Sequence, residues 1–263
     1  MKTNQVIIAG LLLISGLANA QAPHQPEAPS TPAFNQETLL YAGEEKHLSN
    51  VRQLTFGGDN AEAYFSFDSK SLTFQATNKA WNVECDQIYY YRLDQPGMKD
   101  GAPQLISTGK GRTTCSYFMP GDSLILYAST HEGDQACPPV PPRREDGKYV
   151  WAIYPNFDIY IADLKGNIRK KLTNEPGYDA EATVSPDGKK IVFTSLRSGD
   201  LELYVMDIDG KNVKQVTNQL GYDGGAFFSP DSKQLIFRAS RPKTEEEVAT
   251  YKQLLSENLV QPT

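Results

Sequence analysis

A chain of 263 residues with a formal charge of −6 and 39% hydrophobic residues has room for one domain of repeated units, and its hydrophobic content suits several thin apolar layers better than one thick core. The acidic balance argues against a nucleic-acid partner. Beyond the first 20 residues no apolar run approaches membrane-spanning length, which excludes a transmembrane segment.

The chain opens with Lys2, an apolar run over 6–17 and the small-residue sequence Ala18-Asn19-Ala20, which together predict a secretory signal peptide at 1–20. Removing it takes the formal charge from −6 to −7. Residue 21 is glutamine, so no lipid-attachment cysteine follows. A Pro-rich stretch at 21–36 reads as an extended tether, and structure is expected over 37–263.

From residue 54 onward the apolar runs are short and turn-bounded. A first unit (54–104) contains Ala61-Glu-Ala-Tyr-Phe-Ser-Phe-Asp-Ser-Lys70, a strand and turn, and a later strand at 88–93. A second (105–171) contains strands near 114–118, 124–127 and 158–163, with an insertion at 129–155. The third (172–215) and fourth (216–263, incomplete) are nearly the same passage: Leu-Thr-Asn-Glu-Pro-Gly-Tyr-Asp at 172–179 returns as Val-Thr-Asn-Gln-Leu-Gly-Tyr-Asp at 216–223, and Ser185-Pro-Asp returns as Ser229-Pro-Asp, a period of 44 residues without a gap. Pro and Asp in that tripeptide preset a tight turn. A period of about 40–50 residues filled with short strands predicts propeller blades, because a four-stranded sheet has two apolar faces that it can bury only against neighbours. The expected fold is therefore all-β: a propeller of four-stranded blades, about three complete and a partial fourth.

The run of Leu172-Thr through Gly177-Tyr-Asp-Ala, Ser185-Pro-Asp-Gly-Lys-Lys-Ile and Leu203-Tyr-Val-Met-Asp resembles the propeller repeat of the TolB-like periplasmic proteins. That resemblance is specific over 172–242, degenerate over 54–166, and implies a TolB-like propeller without the α/β domain that precedes it in TolB. It also implies a periplasmic or secreted location.

At the end of the chain, Thr244 is a good N-cap, three glutamates fill the next turn, and Val248, Tyr251 and Leu255 share a face, so a short amphipathic helix is expected from 245 to 255. With no third or fourth strand for the fourth blade before Thr263, the reading is an open propeller that is either a fragment or completed by self-association.

Strand polarity puts the long connections at 76–84, at 129–155 and from 242 onward on one rim, where function usually concentrates. Glu62, Asp179, Glu181 and Asp223 start the inner strands on that rim. They either form an acidic ring able to hold a divalent cation or a partner's basic group, or cap turns at strand ends. The insertion adds His131, Arg143, Arg144, Trp151 and Tyr154, which either bind a ligand or pack the loop onto its blade. Two plausible ligands, His131 and Cys137, fall short of a zinc site, and Asp207-Ile-Asp-Gly210 lacks the ligands of a calcium loop; no metal or cofactor site is assigned. Nucleophile elbows, zinc helices and phosphate loops are absent from the sequence, which points away from an enzyme. The reading is a scaffold binding an envelope protein or peptide. The alternative is a propeller enzyme or enzyme-associated domain acting on a polymer or peptide, with a cation at the channel mouth. In an oxidising compartment one pair among Cys85, Cys115 and Cys137 is expected to join, Cys115 with Cys137 favoured and Cys85 with Cys115 the competitor.

Overall fold

The computed structural model describes residues 34–35, 37–95, 101–142, 144–145 and 147–261. The expected signal peptide and nearly all of the expected tether therefore lie outside the described residues. Two compact units are present, one ending at Val51 and one beginning at Arg52. In the first, β1 (Phe34–Asn35) pairs antiparallel with β2 (Leu40–Tyr41), and a single 3-10 turn follows at Glu44–Lys46.

The second unit is built from antiparallel sheets wound in chain order. β3 (Asp59–Phe65), β4 (Ser71–Thr77), β5 (Gln87–Arg92) and β6 (Gln104–Leu105) form blade one. Blade two contains β7 (Thr113–Phe118) and β8 (Leu124–Ser129). After the insertion, which holds β9 (Trp151–Ala152), it is completed by β10 (Asp158–Asp163) and β11 (Ile168–Lys171). In blade three β12 (Asp179–Val184), β13 (Lys190–Ser195), β14 (Glu202–Asp207) and β15 (Lys214–Gln215) follow one another without interruption. A fourth sheet has two strands among the described residues, β16 (Asp223–Phe228) and β17 (Leu235–Ala239). Among the described residues, three four-stranded sheets and this two-stranded one make up the all-β propeller fold expected from the repeat.

Two devices recur among the blades. At the bottom, Ser185 Oγ donates to Asp187 Oδ1 at 2.7 Å, and the Gly188 amide donates to the Ser185 carbonyl at 2.8 Å. The turn recurs at Ser66/Asp68 and at Ser229/Asp231, with side-chain bonds of 2.7 and 2.6 Å. At the top, the hydroxyl beginning the repeat ties strand four to strand three. Ser107, Thr173 and Thr217 accept from the amides of Ile88, Ile159 and Leu203, each at 2.9 Å. Ser107 and Thr173 also donate to the preceding side chains, Gln87 at 2.7 Å and Asp158 at 3.1 Å. The Leu-Thr at the start of each repeat is thus a closing bond rather than a strand signal alone.

The apolar layers lie between blades. Ile88, Ile106, Phe118, Ile125 and Tyr127 fill the first interface, and Leu126, Ile159, Ala182, Ile191 and Phe193 the second. Val192, Leu203 and Ala226 fill the third. A strand with neighbours on both faces loses its polar alternation, so β13 is buried at every position after Lys190. β3 and β17 carry exposed apolar side chains instead, Phe65 at 61% and Ile236 at 72%.

Above the top rim, α1 (Glu245–Ser256) begins at Thr244, whose side chain accepts from the Glu247 amide while Glu247 caps in return. Tyr251 and Leu254 are its buried residues, and the expected Leu255 packs half-buried against the same cluster. After the helix, β18 (Leu259–Val260) pairs antiparallel with β9, and Asn258 accepts from the Ile153 amide at 2.7 Å. The insertion and the C-terminal segment thereby form one cap.

Phe193, fully buried between blades, and Phe65, on an uncovered face, separate the two environments. Phe193→Ala is expected to cost about 3–5 kcal/mol in urea unfolding, and Phe65→Ala less than about 0.5 kcal/mol.

Candidate functional site

Every inner strand carries a β-bulge at the same repeat position. The pairing register shifts between Ala61 and Tyr64, Thr114 and Tyr117, Ala180 and Thr183, and Gly224 and Phe227. The bulged residues Glu62, Cys115, Glu181 and Gly225 have φ of 51, 47, 56 and 58°, left-handed values that cost non-glycine residues strain. A bulge turns one side chain and one amide out of the ladder. Three of the freed amides are received by the preceding blade. Cys115 N donates to Gln75 Oε1 at 3.0 Å, Glu181 N to the Cys115 sulfur, and Gly225 N to Glu181 Oε2 at 2.7 Å. The bulges thus pass one hydrogen bond from blade to blade around the axis.

Below them, Tyr64, Tyr117 and Phe227 fill the axis, with ring centroids 5.5 to 6.3 Å apart. Above them lies a cavity of about 1010 Å³ lined by Glu62, Glu181, Arg112, Arg238, Tyr178 and Tyr222 among others. The insertion roofs it with Val140, Pro141, Pro142, Arg144, Tyr149, Trp151 and Tyr154. Trp151 packs edge-on against Tyr222 at 5.7 Å, and Tyr149 leans on Trp151 at 5.9 Å. Tyr154 donates to the Pro139 carbonyl at 2.9 Å and lies under the Arg112 guanidinium, 5.8 Å from the ring centre. Tyr149 and Val140 remain 73% and 68% exposed, so the roof presents apolar surface outward as well as inward.

Glu181 is the hub of the floor. Its carboxylate accepts from Tyr222 at 2.7 Å, the Gly225 amide at 2.7 Å, Tyr178 at 3.1 Å and Thr194 at 3.1 Å. Burial pushes its carboxyl above the ordinary value, and these donors pull it back. Glu62, its repeat partner, accepts from the Tyr64 hydroxyl. That bond and burial together raise the Tyr64 hydroxyl above the usual phenol range.

Asp179 and Asp223 do not join these glutamates in an acidic ring. Their side chains, 3% and 0% exposed, pair with Arg197 at 2.8 Å and Arg241 at 2.6 Å. Each arginine stands 18 residues after its aspartate, so the pair repeats with the 44-residue period. Desolvation pushes the Asp179 carboxyl up, against the pull of Ser195 and Arg197. His131 also lies outside the cavity lining. Its Nδ1 is 2.9 Å from Ser129 Oγ, its ring is 4.5 Å from that of Tyr160, and burial pushes its pKa below the ordinary imidazole value. Of the insertion residues, Arg144, Trp151 and Tyr154 line the cavity, whereas Arg143 lies outside the described residues. Among the described residues no group of three or more His, Cys, Asp or Glu side chains could hold a metal ion.

The cysteines are free, and their neighbours differ from both expected pairings. Cys115 faces the axis, 3.2 Å from Thr114 Oγ1 and receiving the Glu181 amide. Cys137 in the insertion lies beside Cys85 instead, because Gln135 and Cys137 pack on Gly111 and Arg112, the dipeptide that also receives the Cys85 thiol.

Residues 154–259 match the family model of the TolB β-propeller domain. Over those residues the chain is similar to the TolB β-propeller domain. The TolB-like fold is also seen in the crystal structure of TolB from Acinetobacter baumannii. The two share 21% identity with a TM-score of 0.52, over 71% of this chain and 39% of that one. A putative TolB from Agrobacterium tumefaciens matches at 20% identity over 72% of each chain, with a TM-score of 0.38. This chain therefore spans well under half the length of the first of these. The match to the family model begins in the insertion at Tyr154 and ends at Leu259, the first residue of the cap strand β18.

The structural role of the paired aspartates is testable. Arg197→Ala strands a buried carboxylate and is expected to cost about 3–5 kcal/mol at pH 7, a deficit that shrinks in urea unfolding at pH 4 as Asp179 protonates. Glu202 supplies a second test, being 3% exposed with Oε2 unpartnered. Burial, with Asp223 and Asp200 nearby, raises its pKa. A carboxyl raised on folding contributes fully below its unfolded pKa and loses that contribution as pH rises through the folded one. Blade one carries the amide Gln87 at the equivalent place, so Glu202→Gln is expected to gain about 1 kcal/mol on wild type between pH 4 and pH 7.

Proposed function

We propose that this TolB-like propeller is an exported scaffold of the cell envelope, periplasmic or secreted, that binds a protein or peptide segment through its insertion-bearing rim. The observation that carries the reading is the 1010 Å³ cavity, floored by the Tyr64, Tyr117 and Phe227 cluster and roofed by the aromatic insertion. A cavity with a filled axis below it admits a ligand from the rim side. Its walls combine aromatic rings with charged and hydrogen-bonding groups, a composition suited to an inserted segment of chain. The roof brings tryptophan, tyrosine and arginine together, the residue types that dominate binding energy at protein interfaces. No helix among the described residues is long and apolar enough to cross a membrane.

Site-specific photo-crosslinking in the intact envelope tests the reading. A photoreactive side chain at Tyr149 on the roof is expected to give discrete protein adducts, and one at Ile168, in the turn at the opposite rim, none. Trp151→Ala should reduce the Tyr149 adducts several-fold. Equal adducts from both rims, or none from the roof, would remove the rim from the account.

A further inference from the structure

Cys85 and Cys137 lie 52 residues apart in sequence, on different blades, and meet around one dipeptide. The Cys85 thiol donates to the Gly111 carbonyl at 3.1 Å, and the Arg112 guanidinium approaches Cys137 Sγ at 3.8 Å. Gly111 N also donates to the Gln135 carbonyl at 2.9 Å, which fixes the backbone two residues before Cys137. Both sulfurs thus lie against the same Gly111-Arg112 dipeptide. Their surroundings differ. Cys85 is 3% exposed and burial pushes its thiol up to about 12, whereas Cys137 is only partly buried and has a cation beside it.

We infer that Cys85 and Cys137 form a disulfide that clamps the blade-two insertion onto blade one and fixes the roof of the cavity. Cys137 is the accessible sulfur and attacks first, as the thiolate, on a disulfide oxidant such as oxidised glutathione. That step forms a mixed disulfide and releases one oxidant thiolate. Cys85 then loses its proton and attacks Cys137 Sγ, expelling the second oxidant thiol. The balance is two protein thiols oxidised and one oxidant disulfide reduced to two thiols. Cys115 stays reduced, since its sulfur faces the axis and receives the Glu181 amide. The clamp closes a far longer loop than the 22 residues between Cys115 and Cys137, so it restricts the unfolded chain more.

The test uses the full chain, reduced and then equilibrated in an oxidising glutathione buffer, alkylated, and mapped by peptide mass spectrometry without reductant. One alkylated thiol per chain, at Cys115, and one linked peptide pair holding Cys85 and Cys137 are expected. Oxidation should raise Tm by about 10 °C. Cys85→Ser and Cys137→Ser should each abolish that rise, the double variant should lose no more than either single one, and Cys115→Ser should keep the link. Should a serine variant fail to fold, the oxidised-against-reduced comparison on the unaltered chain reads the same bond. Three alkylated cysteines, a linked peptide containing Cys115, or equal Tm in both redox states would overturn the inference.

Discussion

The left-handed residue in each inner strand is the constraint on which the site depends. A regular inner strand, paired on one side only, would alternate its side chains between the two blade faces and leave none of them aimed at the axis. The bulge breaks that rule once per blade, at Glu62, Cys115, Glu181 and Gly225. The freed amide then needs an acceptor, and the preceding blade supplies it through Gln75, Cys115 or Glu181. One local distortion thus couples neighbouring blades and lays the floor of the cavity. Strain of this kind persists only where the surroundings over-determine it, and the four hydrogen bonds on Glu181 are such surroundings.

Around that floor the polar groups divide into those that hold the blades and those left to a ligand. Asp179 and Asp223 belong to the first set, each locked by its own arginine. Glu181 also serves the fold, since its donors come from blades three and four and occupy both oxygens. The cavity lining mixes aromatic rings with charged groups, among them Glu62, Arg112, Arg144 and Arg238.

Much of the fold was legible because a propeller repeats its local chemistry. The Ser-Pro-Asp turn, the leading Leu-Thr and the apolar second strand each have a reason to recur, so the period located the blades and the insertion. The capped helix was readable from Thr244 and Glu247 for the same local reason. The site was less legible. Glu62 and Glu181 could be aligned from sequence, but their left-handed φ could not, since only Gly225 among the four hints at it. The repeated Arg197 and Arg241, 18 residues beyond Asp179 and Asp223, carried a signal that alignment by strands passed over. The meeting of Cys137 with Cys85 depends on how a non-repeating insertion folds back, and neither spacing nor periodicity encodes that.

The central claim is tested most directly at Gly225. A Cβ added there meets no atom within 4 Å, so Gly225→Ala changes the backbone preference and nothing else. In an extended strand the substitution stabilises, because alanine has less conformational freedom to lose on folding. At a bulge with φ of 58° it is expected to cost about 1 kcal/mol in urea unfolding. A gain in stability would mean that the inner strand runs straight, and that the blade-to-blade relay and the floor it builds do not exist.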